Sequence, residues 1–307
     1  MYKIPILFII FNRKETSIQS FKKIKEIKPS ILYIASDGAR QDKPGEDNIV
    51  EDVRNVILEQ IDWPCIVKKR FRDKNVGCSK NVYEAINWLF ENEEKGIILE
   101  DDCVVSDSFF DFMQYLLDKY ENDLRVGMVA GHNQLRIYNT YSPYIFSKYK
   151  ACWGWGTWKR AWNNMDYEMK WRTSDNYKNI ILNMGYNGRD YKYWKYRLQL
   201  IDKNRVSAWD WQWYFSLAAN NQLCIFPVKN LVSNIGFGNN ATHTSVFGKV
   251  VESFCLNSFG DDPLVTPNFD FDYHFYRANN TLYNKINQLI PFFIKKKLKT
   301  ILKIFRR

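Results

Sequence analysis

The sequence predicts an α/β fold: a mainly parallel, twisted sheet wound on both faces by helices. Three observations predict it. Strand-like apolar runs alternate with helical patterns over the first 130 residues. Several of those runs end in a polar or acidic turn, and no repeat or Pro/Gly/Ser linker interrupts the 307 residues. Strands that alternate with helices are joined by crossovers, which set successive strands parallel and cover the sheet on both sides.

Taken in order, "IPILFIIF" is a continuous apolar run of the kind buried on both faces, and it is the first core strand. A helix follows from Lys14 to about Lys28 and stops before Pro29, because the residue preceding a proline is pushed out of the helical region. "ILYIASDG" is a second strand running into a polar turn. A helix from about Gly45 to Gln60 leads to the strand "CIVKKRF". In "SKNVYEAINWLFE" the residues Val82, Ala85, Ile86, Leu89 and Phe90 recur at helical spacing, and Gly96 then opens "IILEDD". A further helix starts near Ser106 and runs through "FFDFMQYLLDKY", followed by the strand "RVGMVAG".

With 46% hydrophobic and 25% charged residues the chain has ordinary globular composition and enough length for a sizeable core. Six cysteines form no CxxC pair and no Cys/His cluster, which speaks against a zinc site or a disulfide framework and for reduced thiols in the cytoplasm. The first apolar run contains Pro5, lacks a basic lead and is too short to span a membrane.

Charge is unevenly placed. Residues 291–307, "PFFIKKKLKTILKIFRR", hold seven Lys/Arg and no acid; taking those seven from a net charge of +10 leaves +3 for the rest. On a helix Ile294, Leu298, Ile301, Leu302 and Phe305 share one face, with lysines opposite. That pattern predicts a peripheral helix on an anionic membrane surface; a helix docked on the body with a solvated basic face is the plainer alternative. The nearly neutral body carries no nucleic-acid motif, so nucleic acid is not expected as a partner.

The second half has another texture. Nine of the eleven tryptophans lie between Trp153 and Trp213, most of them core material. Trp155 and Trp209, each beside a glycine or an acid, are candidates for lining a site. Residues 1–290 are read as one domain, with halves 1–103 and 104–290, and 291–307 as the basic tail.

Chemistry concentrates in "ILEDDC", where Glu100, Asp101 and Asp102 follow an apolar strand. Three carboxylates at a buried strand end require something positive, and a Mg²⁺ or Mn²⁺ ion takes one or two carboxylates plus phosphate oxygens and water. Alternation along a strand puts Glu100 and Asp102 on one side and Asp101 on the other. In open α/β sheets ligands bind at the carboxyl ends of strands, and Asn12-Arg13, Asp37-Gly38 and Glu100-Asp101-Asp102 all stand at such ends. Carboxylates stabilising a helix start near Ser106 account for Asp107 but not for three acids together.

The order of these motifs resembles GT-A-type nucleotide-sugar glycosyltransferases, most closely the alpha-mannoside N-acetylglucosaminyltransferases and the bacterial family 2-like enzymes, from about Pro5 to His243. "PILFIIFNR" is similar to their first strand and nucleotide-contacting Arg, here Arg13; "ASDG" is similar to the turn whose Asp, here Asp37, meets uracil. "IILEDDCVVSDSFFDFMQYLL" resembles their acidic motif, which implies Mn²⁺ on Asp102 and ribose and donor-sugar contacts from Glu100 and Asp101. "GWGTWKRAW" resembles the segment flooring the site, and "WDWQW" the stretch holding the catalytic base, here Asp210, although the family has two adjacent acids where this chain has Asp210-Trp211. His243, in a Gly/Asn-rich loop, stands where such enzymes often place a metal or pyrophosphate ligand.

The resemblance implies an inverting, metal-dependent transfer from a UDP-sugar to a hydroxyl of a growing surface glycan of capsule, lipopolysaccharide or lipooligosaccharide type, free or lipid-linked, at the inner face of a membrane. A sugar-phosphate nucleotidyltransferase shares the layered fold but normally carries a Gly-rich loop after its first strand, where this chain has "FNRKET". A metal-dependent nuclease needs a basic groove that the near-neutral body lacks. A catalytically inactive, membrane-associated glycan-binding protein has no need of both Asp102 and Asp210.

Overall fold

In the computed structural model of the chain, residues 1–203, 209–236 and 251–280 are described. The tail 291–307 and His243 lie outside the described residues. The first half alternates as expected: β1 (Ile6–Ile10), α1 (Lys14–Ile27), β2 (Ile31–Ser36), α2 (Glu46–Glu59), β3 (Ile66–Phe71), α3 (Cys78–Asn92) and β4 (Lys95–Glu100). Then come β5 (Cys103–Val105), α4 (Phe109–Lys119), β6 (Val126–Ala130), β7 (Tyr144–Ser147), β8 (Trp155–Trp158) and a short α5 (Lys159–Trp162). The helical region α6 (Tyr177–Leu182), α7 (Tyr191–Asp202) and α8 (Asp210–Ala219) precedes β9 (Leu223–Pro227), β10 (Val232–Asn234) and α9 (Phe269–Asn279).

Eight strands form one sheet in the order β3-β2-β1-β4-β8-β6-β9-β7, so strands from both halves share a single layer. The pairs β1/β2, β2/β3, β1/β4 and β6/β9 are parallel; β8 runs antiparallel between β4 and β6, and β7 closes the far edge antiparallel to β9. The sheet is thus mixed and mainly parallel. Period-2 alternation sorts the apolar run of β1: Ile6, Phe8 and Ile10 pack on one face with Phe21 and Ile24 of α1, Val53 and Ile57 of α2, and Phe109, Phe112 and Leu116 of α4. Leu7 and Ile9 pack on the other with Val82, Ile86 and Leu89 of α3, Trp213 of α8 and Phe271 of α9. Burying one such side chain contributes about 1.5–3 kcal/mol, enough to hold this strand's register against slippage.

The winding creates the site. From β1 the chain builds outward to β2 and β3 with α1 and α2 on one face, then returns through α3 on the other face to place β4 beside β1. The strand order therefore reverses between β1 and β4, and a crevice opens beyond their carboxyl ends, where Arg13 and Glu100–Asp102 follow the two strands. Among the described residues no helix is long and apolar enough to cross a membrane.

Candidate active site

Arg13 leaves β1 as the residue capping α1, and its backbone carbonyl accepts hydrogen bonds from Thr16 Oγ1 and Ser17 Oγ. Its guanidinium forks across the crevice, donating from Nη2 to Asp101 Oδ1 at 2.6 Å and from Nη1 to Asp102 Oδ2 at 2.9 Å. Asp101 and Asp102 form the turn after β4, and β5 then pairs antiparallel with β10. That pairing delivers Asn234 to the acids: its Nδ2 donates to Asp102 Oδ1 at 3.1 Å, and Ile235 N donates to the Asp102 carbonyl at 2.8 Å. Gly236 follows in close approach: a Cβ there would land on the Asp102 carboxylate and the Arg13 guanidinium, which would have to shift. Sequence reasoning missed Asn234 and Gly236. Their only signal is the polar end of the strand-like "LVSNIG", and it gains meaning only from pairing with a segment some 130 residues earlier.

The acids divide between cavity and interior as the alternation predicts, but Asp101 and Asp102 lie in the turn after β4 and both meet Arg13. Glu100 and Asp102 face one cavity of about 580 Å³, whereas Asp101 is buried, does not line it, and keeps Oδ2 without a hydrogen-bond partner. Among the described residues Glu100 forms no ion pair, and Arg13 bears on its charge without bonding it. Burial first, then the nearby Asp102 and Asp101, raises its pKa; burial likewise raises that of Asp101, opposed by Arg13. With all three ionised, a single guanidinium leaves two charges unmatched.

That excess is the test of fit for a divalent cation. The oxygen donors suit a hard ion, and the imbalance is what such an ion offsets. Among the described residues no three His, Cys, Asp or Glu side chains are grouped so as to hold a metal ion.

Asp210 lines the same cavity as the first residue of α8, between Trp209 and Trp211. Burial pushes its pKa up to about 6, against hydrogen bonds from backbone N–H groups of its own helix start and the more distant Arg197. Asp210 also contributes to the raised pKa of Glu100, so the two carboxyls lie within electrostatic reach. Trp209 lines the cavity.

Two expected residues stand elsewhere. Trp155 is wholly buried inside the sheet on β8, stacked on Trp209 with ring centroids 5.8 Å apart, and backs the wall instead of lining it. Asp37 is buried and off the cavity; its carboxylate accepts backbone N–H bonds from Gly38 at 2.9 Å, Val76 at 3.0 Å and Gly77 at 2.9 Å. It pins the entry of α3 against the end of β2, work that explains its burial without a ligand. Lys150 and Arg197, absent from the sequence reading, also line the cavity.

No family model matches the sequence, and no curated protein matches it. Similar solved structures include the mannosyltransferase PcManGT from Pyrobaculum calidifontis in complex with GDP-Man and Mn²⁺, at 11% identity and TM-score 0.35, covering 71% of this chain and 70% of that one. A UDP-glucose pyrophosphorylase complexed with UDP-glucose matches at 12% identity and TM-score 0.36 over 75% of this chain and 92% of the other. Mouse xyloside xylosyltransferase 1 in its apo form matches at 11% identity and TM-score 0.34 over 74% and 84%. Likenesses this distant carry no inference about chemistry, which rests on the site.

Proposed function

We propose that this protein is a metal-dependent inverting glycosyltransferase that moves a sugar from a nucleoside diphosphate, a UDP-sugar for choice, to an acceptor hydroxyl. One observation carries the reading: Glu100 and Asp102 at the crevice between β1 and β4, and Asp210 at the start of α8, line one cavity. The first pair suits a cation and a diphosphate; Asp210 supplies a further carboxyl with a pKa near the working range of a base.

Asp102, with Glu100, would hold Mn²⁺ or Mg²⁺, which when bound supplies positive charge against the departing diphosphate. Arg13 and Asn234 fix the Asp102 carboxylate from both oxygens, so the ligand is aimed before the donor arrives. Asp210 takes the proton of the acceptor hydroxyl as that oxygen bonds to the anomeric carbon and the bond from that carbon to the diphosphate oxygen breaks. One displacement inverts the centre and needs no second nucleophile. Trp209 offers an apolar face to the sugar ring, and the Arg13 turn, without a glycine loop, does not favour nucleotidyl transfer. The acceptor in this reading is a surface glycan, with the tail 291–307 holding the protein on the anionic inner face of a membrane.

The test is a panel of nucleotide-sugars assayed for hydrolysis with and without Mn²⁺. Hydrolysis of one donor class, dependent on the ion, is expected; pyrophosphate-dependent formation of UTP from a UDP-sugar would replace this reading by the nucleotidyltransferase. Deleting residues 291–307 should release the protein from anionic vesicles while donor hydrolysis persists; continued flotation with vesicles would return the tail to a docked helix.

A further inference from the structure

Two cations line the cavity with no acid paired to them among the described residues. Lys150, in the loop after β7, is 8% exposed, lines the cavity, and has no hydrogen-bond or ion-pair partner within 4.0 Å among the described residues. Such an ammonium is expensive to bury alone. Accordingly its pKa is drawn down to about 8 by burial, partly opposed by Cys224 and Asp272. The Asp272 carboxylate is committed to Ser147 Oγ and the Lys148 N–H. Asp190, the acid of that wall, is committed to Tyr149 Oη and to Asn280 Nδ2. Arg197 of α7 is clamped between the rings of Tyr193 and Trp211, each 4.7 Å from its guanidinium carbon, and its buried Nε has no partner.

Lys150 follows Tyr149, whose hydroxyl donates to Asp190 at the start of α7, and Arg197 of α7 stacks on Trp211, the residue after Asp210. Both thus belong to the α7 and α8 side of the cavity, beside the base, where an acceptor lies if Asp210 faces its hydroxyl. A guanidinium held flat by two aromatic rings is aimed before any ligand binds, so its remaining N–H groups lose little entropy in meeting a planar anion.

We propose that the acceptor side of this cavity recognises a sugar bearing an anionic substituent, a carboxylate or a phosphate ester, through Lys150 and Arg197. The placement on the acceptor side rests on the glycosyltransferase reading; the anion site itself does not. Neutral sugars would leave both cations unpaired, so the site discriminates by charge as well as by shape.

Ligand-observed NMR with D-glucuronate, D-glucose 6-phosphate and D-glucose tests this on the full chain without any donor. The wild type should bind the two anionic sugars about 10-fold to 100-fold more tightly than glucose, the range of a hydrogen bond to a charged group. Lys150→Met and Arg197→Met should each reduce that preference, with glucose binding unchanged. The two variants fail independently, and methionine keeps the volume of each apolar stem, so folding is checked by melting temperature in both. Equal binding of all three sugars, or an unaltered preference in both folded variants, overturns the proposal. The source of the anion is settled by competition: if UDP with Mn²⁺ displaces glucuronate, the cations serve the donor's diphosphate and the acceptor assignment falls. If the wild type binds glucuronate but neither binds nor hydrolyses any nucleotide-sugar, the anion site stands and the transferase reading is what fails.

Discussion

At the end of the cavity between β1 and β4, the functional side chains are tied to regular backbone. Arg13 caps α1, Asp102 is gripped by Arg13 and Asn234, and Asn234 is set by the antiparallel pairing of β5 with β10. At the Asp210 end, side chains come from a loop after β7 and from α7 and α8, and their polar atoms are incompletely matched. Among the described residues, the buried Trp194 Nε1 and Arg197 Nε have no partner, and both residues line the cavity. The difference teaches which substrate part each end reads. A diphosphate with its ion has fixed geometry and suits a frame in which the ligand carboxylate of Asp102 is held at both oxygens. An acceptor glycan supplies hydroxyls and charges of its own, and donors and cations left unsatisfied are where it completes the site.

The comparison breaks most severely at Asp102. Asp102→Ala removes the aimed carboxylate, so transfer should fall below detection and nucleotide binding should lose its dependence on Mn²⁺, while Arg13 keeps Asp101 and the fold survives. Isothermal titration with UDP and Mn²⁺ checks this, and retained metal-dependent binding would move the ligand to Glu100 or elsewhere.

Asp210→Asn comes next. Turnover should drop roughly 10²-fold to 10⁴-fold, the usual cost of losing a general base, with donor affinity intact. In the wild type the rate should rise with pH through about 6 and then level, because the carboxyl must ionise to act. Stability runs the other way. A carboxyl whose folded pKa lies above its unfolded value costs stability once ionised, so Asp210→Asn should melt higher than wild type at pH 8 and identically below about pH 4. A variant that melts lower at pH 8 would mean the carboxylate is a structural cap of α8 and not a strained functional group.

A smaller effect is expected at Gly236→Ala. Its Cβ would displace Asp102 or Arg13, and a shift of that order in a positioned ligand costs about 10²-fold in activity, read as weaker Mn²⁺-dependent UDP binding with near-normal melting. Wild-type nucleotide affinity in that variant would show that the Asp102 frame is not rigid. The smallest effect is Trp155→Phe, which trims a core ring whose Nε1 has no partner. A loss of about 1–2 kcal/mol in denaturant unfolding and unchanged nucleotide affinity are expected, since removing an unsatisfied donor offsets part of the lost packing. Altered donor affinity would restore Trp155 to the site.

Much of this molecule was determined by the sequence alone. The strand and helix order of residues 1–130 follows from hydrophobic period and from breakers such as Pro29 and Gly96, which act locally. That Glu100 and Asp102 line the cavity and Asp101 does not agrees with the alternation read from the sequence, although a turn at Asp101-Asp102, and not a strand, sets it. The acidic cluster announced itself because three charges after an apolar strand are locally costly. What only the tertiary structure decided are facts about separation in space. Among tryptophans with similar neighbours, Trp155 lies on a central strand and Trp209 at a helix start, a matter of sheet order and not of flanking residues. Asp37, at a strand end like the others, turned inward because the N–H groups of Val76 and Gly77 come to meet it from the start of α3. Lys150 and Arg197 carry no local signal and Asn234 only a faint one, since a polar residue becomes functional only when folding buries it beside a charge or leaves it facing a cavity. Period and propensity are properties of neighbours along the chain; burial and pairing are properties of neighbours in space, and the second set is fixed only when the sheet closes.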